Sequence, residues 1–288
     1  MFNSTTFFVE ENQKGRKIDM KKFIGVLALG SLLVGCGANG TNSEDQFIVG
    51  MECNYAPFNW QTDKETETAV SIGGAGLCDG YDIRVASQIA DTLGKELVVK
   101  KLDWDGLQPA LQSGEIHAII AGMTANEERE QGIDFTTPYF ESEMVMIVKK
   151  DGNYVDATSI NDFSGANVIG QMNTNYDEII DQIKDVNHLT PRSSYPELVQ
   201  TLLAGESDGI TAELPVAEGV VQANPSLTII HFADGEGFDV DTSVSIGLKE
   251  GSRGSDFFNN VQAALDQISE ATRQEWMNAA RETAPTGE

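Results

Sequence analysis

The chain has 288 residues, 40% of them hydrophobic, with 19 Lys plus Arg against 45 Asp plus Glu and a formal net charge of -26 at pH 7. That length and apolar content support one large or two smaller domains with real cores, and the absence of a dominating low-complexity tract argues against wholesale disorder. So acidic a chain repels nucleic acid and anionic lipid headgroups, and three Cys with three His are too few and too scattered for a structural zinc site.

Residues 23–35, FIGVLALGSLLVG, form an apolar run too short to span a bilayer as a stable helix. Lys21 and Lys22 precede it, so a basic, an apolar and a small-residue segment follow one another as in a secretory signal. Leu33-Val34-Gly35-Cys36 resembles a bacterial lipobox, which implies a diacylglycerol on Cys36 and cleavage just before it. A short buried helix with a free Cys is the plain alternative. Residues 1–19 carry acidic residues where a signal is basic, so Met20 is the expected start and 1–35 the signal region. Residues 36–45 read as the lipidated Cys and a small, polar tether. The expectation is a soluble body exported and anchored to the outer face of the cell membrane. In an oxidising compartment, Cys53 and Cys78 favour a disulfide closing a loop of about 25 residues, against two buried free thiols.

The body opens with a predicted strand at 46–51. A helix follows over 80–94, with apolar residues at helical spacing and Gly94 at its end. Then come a strand at 96–102, a helix at 107–114 stopped by Gly114 and a buried strand at 117–123. This alternation predicts α/β structure with a mainly parallel sheet. A second series holds strands at 145–150, 166–172, 186–190, 209–214 and 227–232, with helices at 176–183 and 195–205. A strand at 243–250 and a mostly helical 255–280 close the chain. No simple repeat relates the two series, and each has the size of a small domain.

Ligands of such sheets sit beyond the carboxyl ends of strands. Five segments occupy those places: Glu52 to Phe58 with Tyr55; Trp104; Gly122 to Arg129; Gln171 to Asn175; and Glu213. Thr124 with Glu127 has the form of a capping box, which predicts a helix starting there, with free N–H groups and Arg129 one turn in as a carboxylate site. Gln171, Thr174 and Asn175 precede another helix, and Pro215 starts a helix just after Glu213. Each has a plain alternative. Tyr55, Phe58 and Trp104 as core aromatics, Thr124 and Thr174 as caps, Arg129 on a solvated face and Glu213 as a helix-terminal charge all account for the residues singly. Together they place a cation, hydroxyls, an anion and aromatics at strand ends of two lobes, a set that suits a zwitterion with a side chain.

Over about residues 46–280 the sequence resembles the bacterial solute-binding proteins of amino-acid ABC importers, the family of the histidine and lysine/arginine/ornithine binders. The likeness rests on Gly80-Tyr81-Asp82-Ile83, on AGMTANEERE followed by IDFTTPYF, and on DGITAELPVA. Arg84 departs from the usual acidic residue, a change expected to affect only surface charge. Glu213 stands where Asp is commoner, and Asn173 replaces the usual Gly before Thr174.

The resemblance implies a two-lobed periplasmic-binding-protein-like α/β fold with a cleft between the lobes and two hinge crossovers near 141–143 and 237–242. Lobe 1 is then 46–141 plus 242–288, and lobe 2 is 142–241. It further implies that Arg129 forks the ligand α-carboxylate with amides at Thr124, Thr174 and Asn175. Glu213, the Thr124 hydroxyl and the Gly122 carbonyl take the α-ammonium. Tyr55 and Trp104 flank the ligand side chain, Glu52 reaches its far end, and Gln171 belongs to the same set. No cofactor, metal or catalytic group is expected, and the partners are a free amino acid, ABC permease subunits and, through Cys36, the membrane, for a monomer. Arginine or lysine is the first choice of ligand, from Glu52, the aromatic faces and the acidic body. A neutral polar or aromatic amino acid is the second. The rivals are a cyclohexadienyl-dehydratase-like enzyme and a sensor or adhesion lipoprotein. For the enzyme, His117 lies early in a strand, away from its cleft end, and His188 and His231 sit on strands of the second lobe without an obvious partner.

Overall fold

The structure is a computed structural model and describes residues 45–285. The signal region, Cys36 and nearly all of the tether lie outside them. Among the described residues no helix is long and apolar enough to cross a membrane.

The first sheet starts from β1 (Gln46–Met51). An antiparallel excursion follows, made of β2 (Asn54–Tyr55), β3 (Asn59–Thr62), β4 (Val70–Ser71) and β5 (Leu77–Asp79), and then α1 (Tyr81–Leu93), β6 (Glu96–Lys101), α2 (Trp104–Ser113), β7 (Ala118–Ile119) and β8 (Ile133–Phe140). The second sheet is built from β9 (Met144–Lys149), β10 (Asn167–Ile169), α3 (Asn175–Glu178), β11 (Asn187–His188), α4 (Tyr195–Ala204), β12 (Gly209–Glu213), α5 (Leu214–Ala223) and β13 (Leu227–Ile230). The chain then returns to the first sheet with β14 (Val244–Lys249) and ends in α6 (Asp256–Asp266) and α7 (Glu270–Thr283). The strand orders are β6-β1-β7-β14-β8 and β11-β10-β12-β9-β13. Two five-stranded sheets, one per lobe, thus carry a two-lobed α/β fold.

Parallel pairing is confined to β6-β1-β7 and to β11-β10-β12. The strands that bring the chain from one sheet to the other, β9 and β14, run antiparallel to their neighbours. A direct crossover has no helix to reverse its direction, so these sheets are mixed rather than mainly parallel. The antiparallel excursion between β1 and α1 was not read from its polar sequence. Cys53–Cys78 fastens its base as a disulfide with Cα atoms 5.8 Å apart. Asp79 fastens its top, accepting from the Thr66 and Thr68 hydroxyls at 2.7 Å each.

Local chemistry moves several boundaries. α2 begins at Trp104 rather than 107, because Asp103 takes an extended N-cap geometry and Asp105 places a negative charge in the first turn. The buried stretch 117–123 pairs only at β7. It turns away at Gly122, where φ is +62° and a Cβ would lie 3.2 Å from the Tyr55 ring. The terminal helix is two, since the Ser269 side chain accepts from Thr272 N and starts α7 afresh. Arg84 is half-buried, with its Nε covered and without a hydrogen-bond partner among the described residues.

In the first lobe, α1 places Ile83, Val85, Ala86 and Ile89 in the core. It also carries Asp82, fully buried, into a polar chain. Asp82 accepts from Asn59 Nδ2 at 2.8 Å and from the Tyr139 hydroxyl at 2.7 Å, and Tyr139 in turn accepts from the Gly122 N–H at 3.0 Å. That chain holds the Gly122 turn against the core.

Replacing both Cys53 and Cys78 by Ser releases the excursion that carries Tyr55. The expected loss is about 2–4 kcal/mol, or roughly 4–16 °C in Tm at about 2–4 °C per kcal/mol for a body of this size. Calorimetry of the oxidised protein against the double variant measures it, and equal Tm values would show that the bridge adds nothing.

Candidate functional site

β12 is buried along its whole length and delivers Glu213 to the N-cap of α5, whose first turn holds Pro215. Glu213 is fully buried. Its Oε2 accepts from the Tyr55 hydroxyl at 2.6 Å, while Oε1 has no hydrogen-bond partner among the described residues. Burial pushes its pKa up to about 8, with the Tyr55 and Tyr176 hydroxyls acting in the opposite direction. Tyr55 comes from the first lobe, stacked on Phe58 at 5.6 Å with the edge of Tyr195 at 5.4 Å. Burial, then the Glu213 charge, raises the hydroxyls of Tyr55, Tyr176 and Tyr195 alike.

No helix begins at Thr124. Asn126 Oδ1 accepts from Arg129 N at 2.8 Å, and only a single 3-10 turn forms over Arg129–Gln131, with no side-chain bond from its N-cap Glu128. The expected carboxylate site at a helix N-terminus is therefore absent, and the side chain of Arg129 is the cation that remains. It is half-buried. Its Nη1 donates to Thr124 O at 2.7 Å and its Nη2 to Asn173 O at 3.1 Å, and its guanidinium carbon stands 5.2 Å from the Trp104 ring centroid. Thr124 Oγ1 and the Tyr176 hydroxyl are 3.2 Å apart.

From the second lobe, Thr174 caps α3, its Oγ1 accepting from Asp177 N and donating to Gln171 O at 2.7 Å. Gln171 Nε2 donates to Glu52 Oε1 at 3.3 Å, and Asn175 Oδ1 accepts from Asn126 Nδ2 at 2.6 Å. Glu52 is 4% exposed. Burial raises its pKa to about 7, with Gln171 working against it and the charges of Asp103 and Asp105 adding to it.

All ten residues singled out from the sequence lie along one seam between the lobes, in two groups. Glu52, Tyr55, Gly122, Thr124, Gln171, Thr174 and Glu213 are buried. Trp104, Arg129 and Asn175 line an open groove of about 810 Å³ at the mouth, with Asp105, Asn173 and Glu178. Sequence reasoning missed Tyr176, Tyr195 and Asn126, and named Asn173 only as a departure from the family pattern. Tyr195 opens α4 directly after its cap Ser194 and Tyr176 is the second residue of α3 after its cap Thr174, positions that mark them for a cleft once the caps are recognised. The histidines do have partners: His188 bridges Asp177 at 2.9 Å and Asp181 at 2.8 Å, His231 meets Glu143 at 3.3 Å, and His117 Nδ1 accepts from Ile48 N at 3.2 Å.

Residues 47–279 match the family model of bacterial extracellular solute-binding proteins, family 3. A probable histidine-binding protein of Campylobacter jejuni is 29% identical over 232 residues, covering 76% of this chain and 85% of its own. The L-cystine-binding protein TcyJ of Escherichia coli is 28% identical over 247 residues, covering 84% and 86%. Among solved structures, the amino acid ABC transporter substrate-binding protein AbpA from Streptococcus pneumoniae bound to L-arginine is 25% identical, with a TM-score of 0.72 over 84% of this chain and 97% of its own.

Glu52 and Glu213 bind a proton more tightly in the fold than in the unfolded chain. Their stabilising contribution is complete below about pH 4.5 and is lost as pH rises through about 7 and 8. The ligand-free protein is therefore expected to lose stability, read as a falling Tm, between pH 5 and 8.5, on the order of 1–3 kcal/mol per group. Glu52→Gln and Glu213→Gln should each flatten the fall. Differential scanning calorimetry across that range is the check, and a Tm that rises with pH in the wild type contradicts the assignment.

Proposed function

This chain belongs to the bacterial extracellular solute-binding proteins, family 3, and from that premise we propose that it captures a free amino acid between its lobes and delivers it to the permease of an ABC importer. The observation that carries this reading is a cation and a buried carboxyl on facing lobes, neither of them matched by an opposite charge. Among the described residues, neither Arg129 in the first lobe nor Glu213 in the second takes part in an ion pair. A zwitterion satisfies both. Its carboxylate takes the planar fork of Arg129 in place of two backbone carbonyls. Its ammonium takes the free Oε1 of Glu213, with the Thr124 hydroxyl and the Gly122 carbonyl. Amides at Thr124, Thr174 and Asn175 complete the carboxylate end. Because the contacts come from both lobes, the ligand shifts the population toward the closed form about the crossovers.

Tyr55 and Trp104 then flank the side chain, and Glu52 with Gln171 meets its end. A buried Glu52 without a cation, beside Asp103 and Asp105, favours arginine or lysine. The arginine in AbpA agrees with that choice. A neutral polar or aromatic amino acid is the second reading, favoured by the Arg129 guanidinium already lying over the Trp104 face and by relatives named for histidine and cystine. The protein acts as an exported monomer without cofactor, tethered by a diacylglycerol on Cys36.

A thermal-shift screen of the twenty amino acids on the mature protein identifies the ligand, since a ligand at a hundred times its Kd adds about 2.7 kcal/mol. Arg129→Ala should weaken every ligand alike by about 2–5 kcal/mol, and Arg129→Lys should not restore it fully. Glu52→Gln should cost arginine and lysine about 1–3 kcal/mol and glutamine much less. Calorimetric titration reads all three. Normal affinity in a folded Arg129→Ala protein sinks the site, and equal losses across arginine, lysine and glutamine sink the basic-ligand reading.

A further inference from the structure

We propose that Asn173 is an inter-lobe latch that sets the lifetime of the closed cleft, and with it the affinity for the amino acid; the second clause rests on the function proposed above. Asn173 follows Met172, which is 36% exposed, and sits at a φ of +59°, a conformation that Asn tolerates better than most side chains. That turn aims both of its polar ends across the seam. Its main-chain carbonyl accepts from Trp104 Nε1 at 3.0 Å and from Arg129 Nη2 at 3.1 Å, and its Nδ2 donates to Asp105 Oδ1 at 2.7 Å. One residue of the second lobe thus holds three residues of the first in the ligand-free protein, and keeps its bonds to Trp104 and Asp105 when a ligand takes the Arg129 fork.

Two of those three are the proposed carboxylate anchor and the proposed wall for the ligand side chain. The indole N–H bond fixes the plane of Trp104, and the bond to Arg129 holds the guanidinium over that plane. Asp105 and Asn173 line the groove at the mouth, so the side-chain bond is at the open edge of the seam. A residue whose only task is to make a turn needs none of these contacts. Glycine adopts the same φ freely and keeps the carbonyl, so Asn173→Gly removes the carboxamide bond to Asp105 and little else.

The test reads the ligand-free protein first. The three indole N–H signals of Trp60, Trp104 and Trp276 are followed by NMR, with Trp104→Phe used only to assign one of them. Hydrogen exchange at Trp104 should speed up about three- to tenfold in Asn173→Gly and in Asp105→Ala, as expected for losing one hydrogen bond across the mouth. The double variant should show no further increase, because the two changes break the same bond. The dissociation rate of arginine should rise by the same factor while association changes little. Unchanged exchange in Asn173→Gly, or factors that multiply in the double variant, overturns the latch. Faster exchange in a protein that binds no amino acid supports the latch and rejects the proposed function instead.

Discussion

A carboxylate buried without a counter-ion governs the rest of this cleft. Glu213 ends a fully buried strand and has no exposed surface, yet one of its oxygens has no partner among the described residues. A buried charge of this kind is tolerated only if it is protonated, hydrogen-bonded or matched by a cation. The protein supplies the first two, through a pKa near 8 and the Tyr55 hydroxyl. The remainder of the architecture keeps the third option open. Tyr55 cannot leave Glu213 without parting the lobes, and its position depends on the Cys53–Cys78 bridge behind it and on the Gly122 turn beneath its ring. That turn depends in turn on Tyr139 and Asp82.

The seam is polar where the cores are apolar. Tyr55 to Glu213, Thr124 with Tyr176, Asn126 to Asn175, Gln171 to Glu52 and the three bonds of Asn173 all cross it. Each such bond is worth only about 0.5–1.5 kcal/mol net, because water replaces it when the lobes part. An apolar seam of the same extent would hold the lobes shut through lost hydration. On the proposed reading, a handful of exchangeable bonds keeps an open and a closed state within a few kcal/mol, which is within reach of a ligand's differential contacts.

What the sequence disclosed follows from how local each signal is. Glu213 and Thr174 were legible because a short apolar strand, a cap and a helix start lie within a few residues of each other. The two-lobed α/β class was legible from the order of the segments. Thr124 misled because T-x-x-E has the pattern of a cap, while the bond that forms there is Asn126 Oδ1 accepting from Arg129 N, and Arg129 is drawn toward Thr124 O and Asn173 O, contacts no local pattern announces. Tyr176 and Tyr195 converge on Glu213 only through tertiary packing. The antiparallel excursion was hidden because its strands are two to four residues long, too short for an alternation to register.

The charges of the seam also bear on what it accepts. Arg129 contributes one positive charge, and Glu52 and Glu213 contribute one negative charge each when ionised. On the proposed reading, a basic amino acid brings one net positive charge and leaves the buried assembly neutral, with every ionised group facing its opposite. A neutral amino acid leaves one negative charge in excess. Glu52 removes that excess by keeping a proton, which costs little at a pKa of about 7. The same carboxyl thus decides between the two ligand classes by its own ionisation, with the nearby Asp103 and Asp105 charges biasing it toward the protonated form until a cation arrives. On the proposed reading, selectivity in this cleft is accordingly a matter of where one proton resides, with Arg129 and Glu213 meeting the backbone of either occupant.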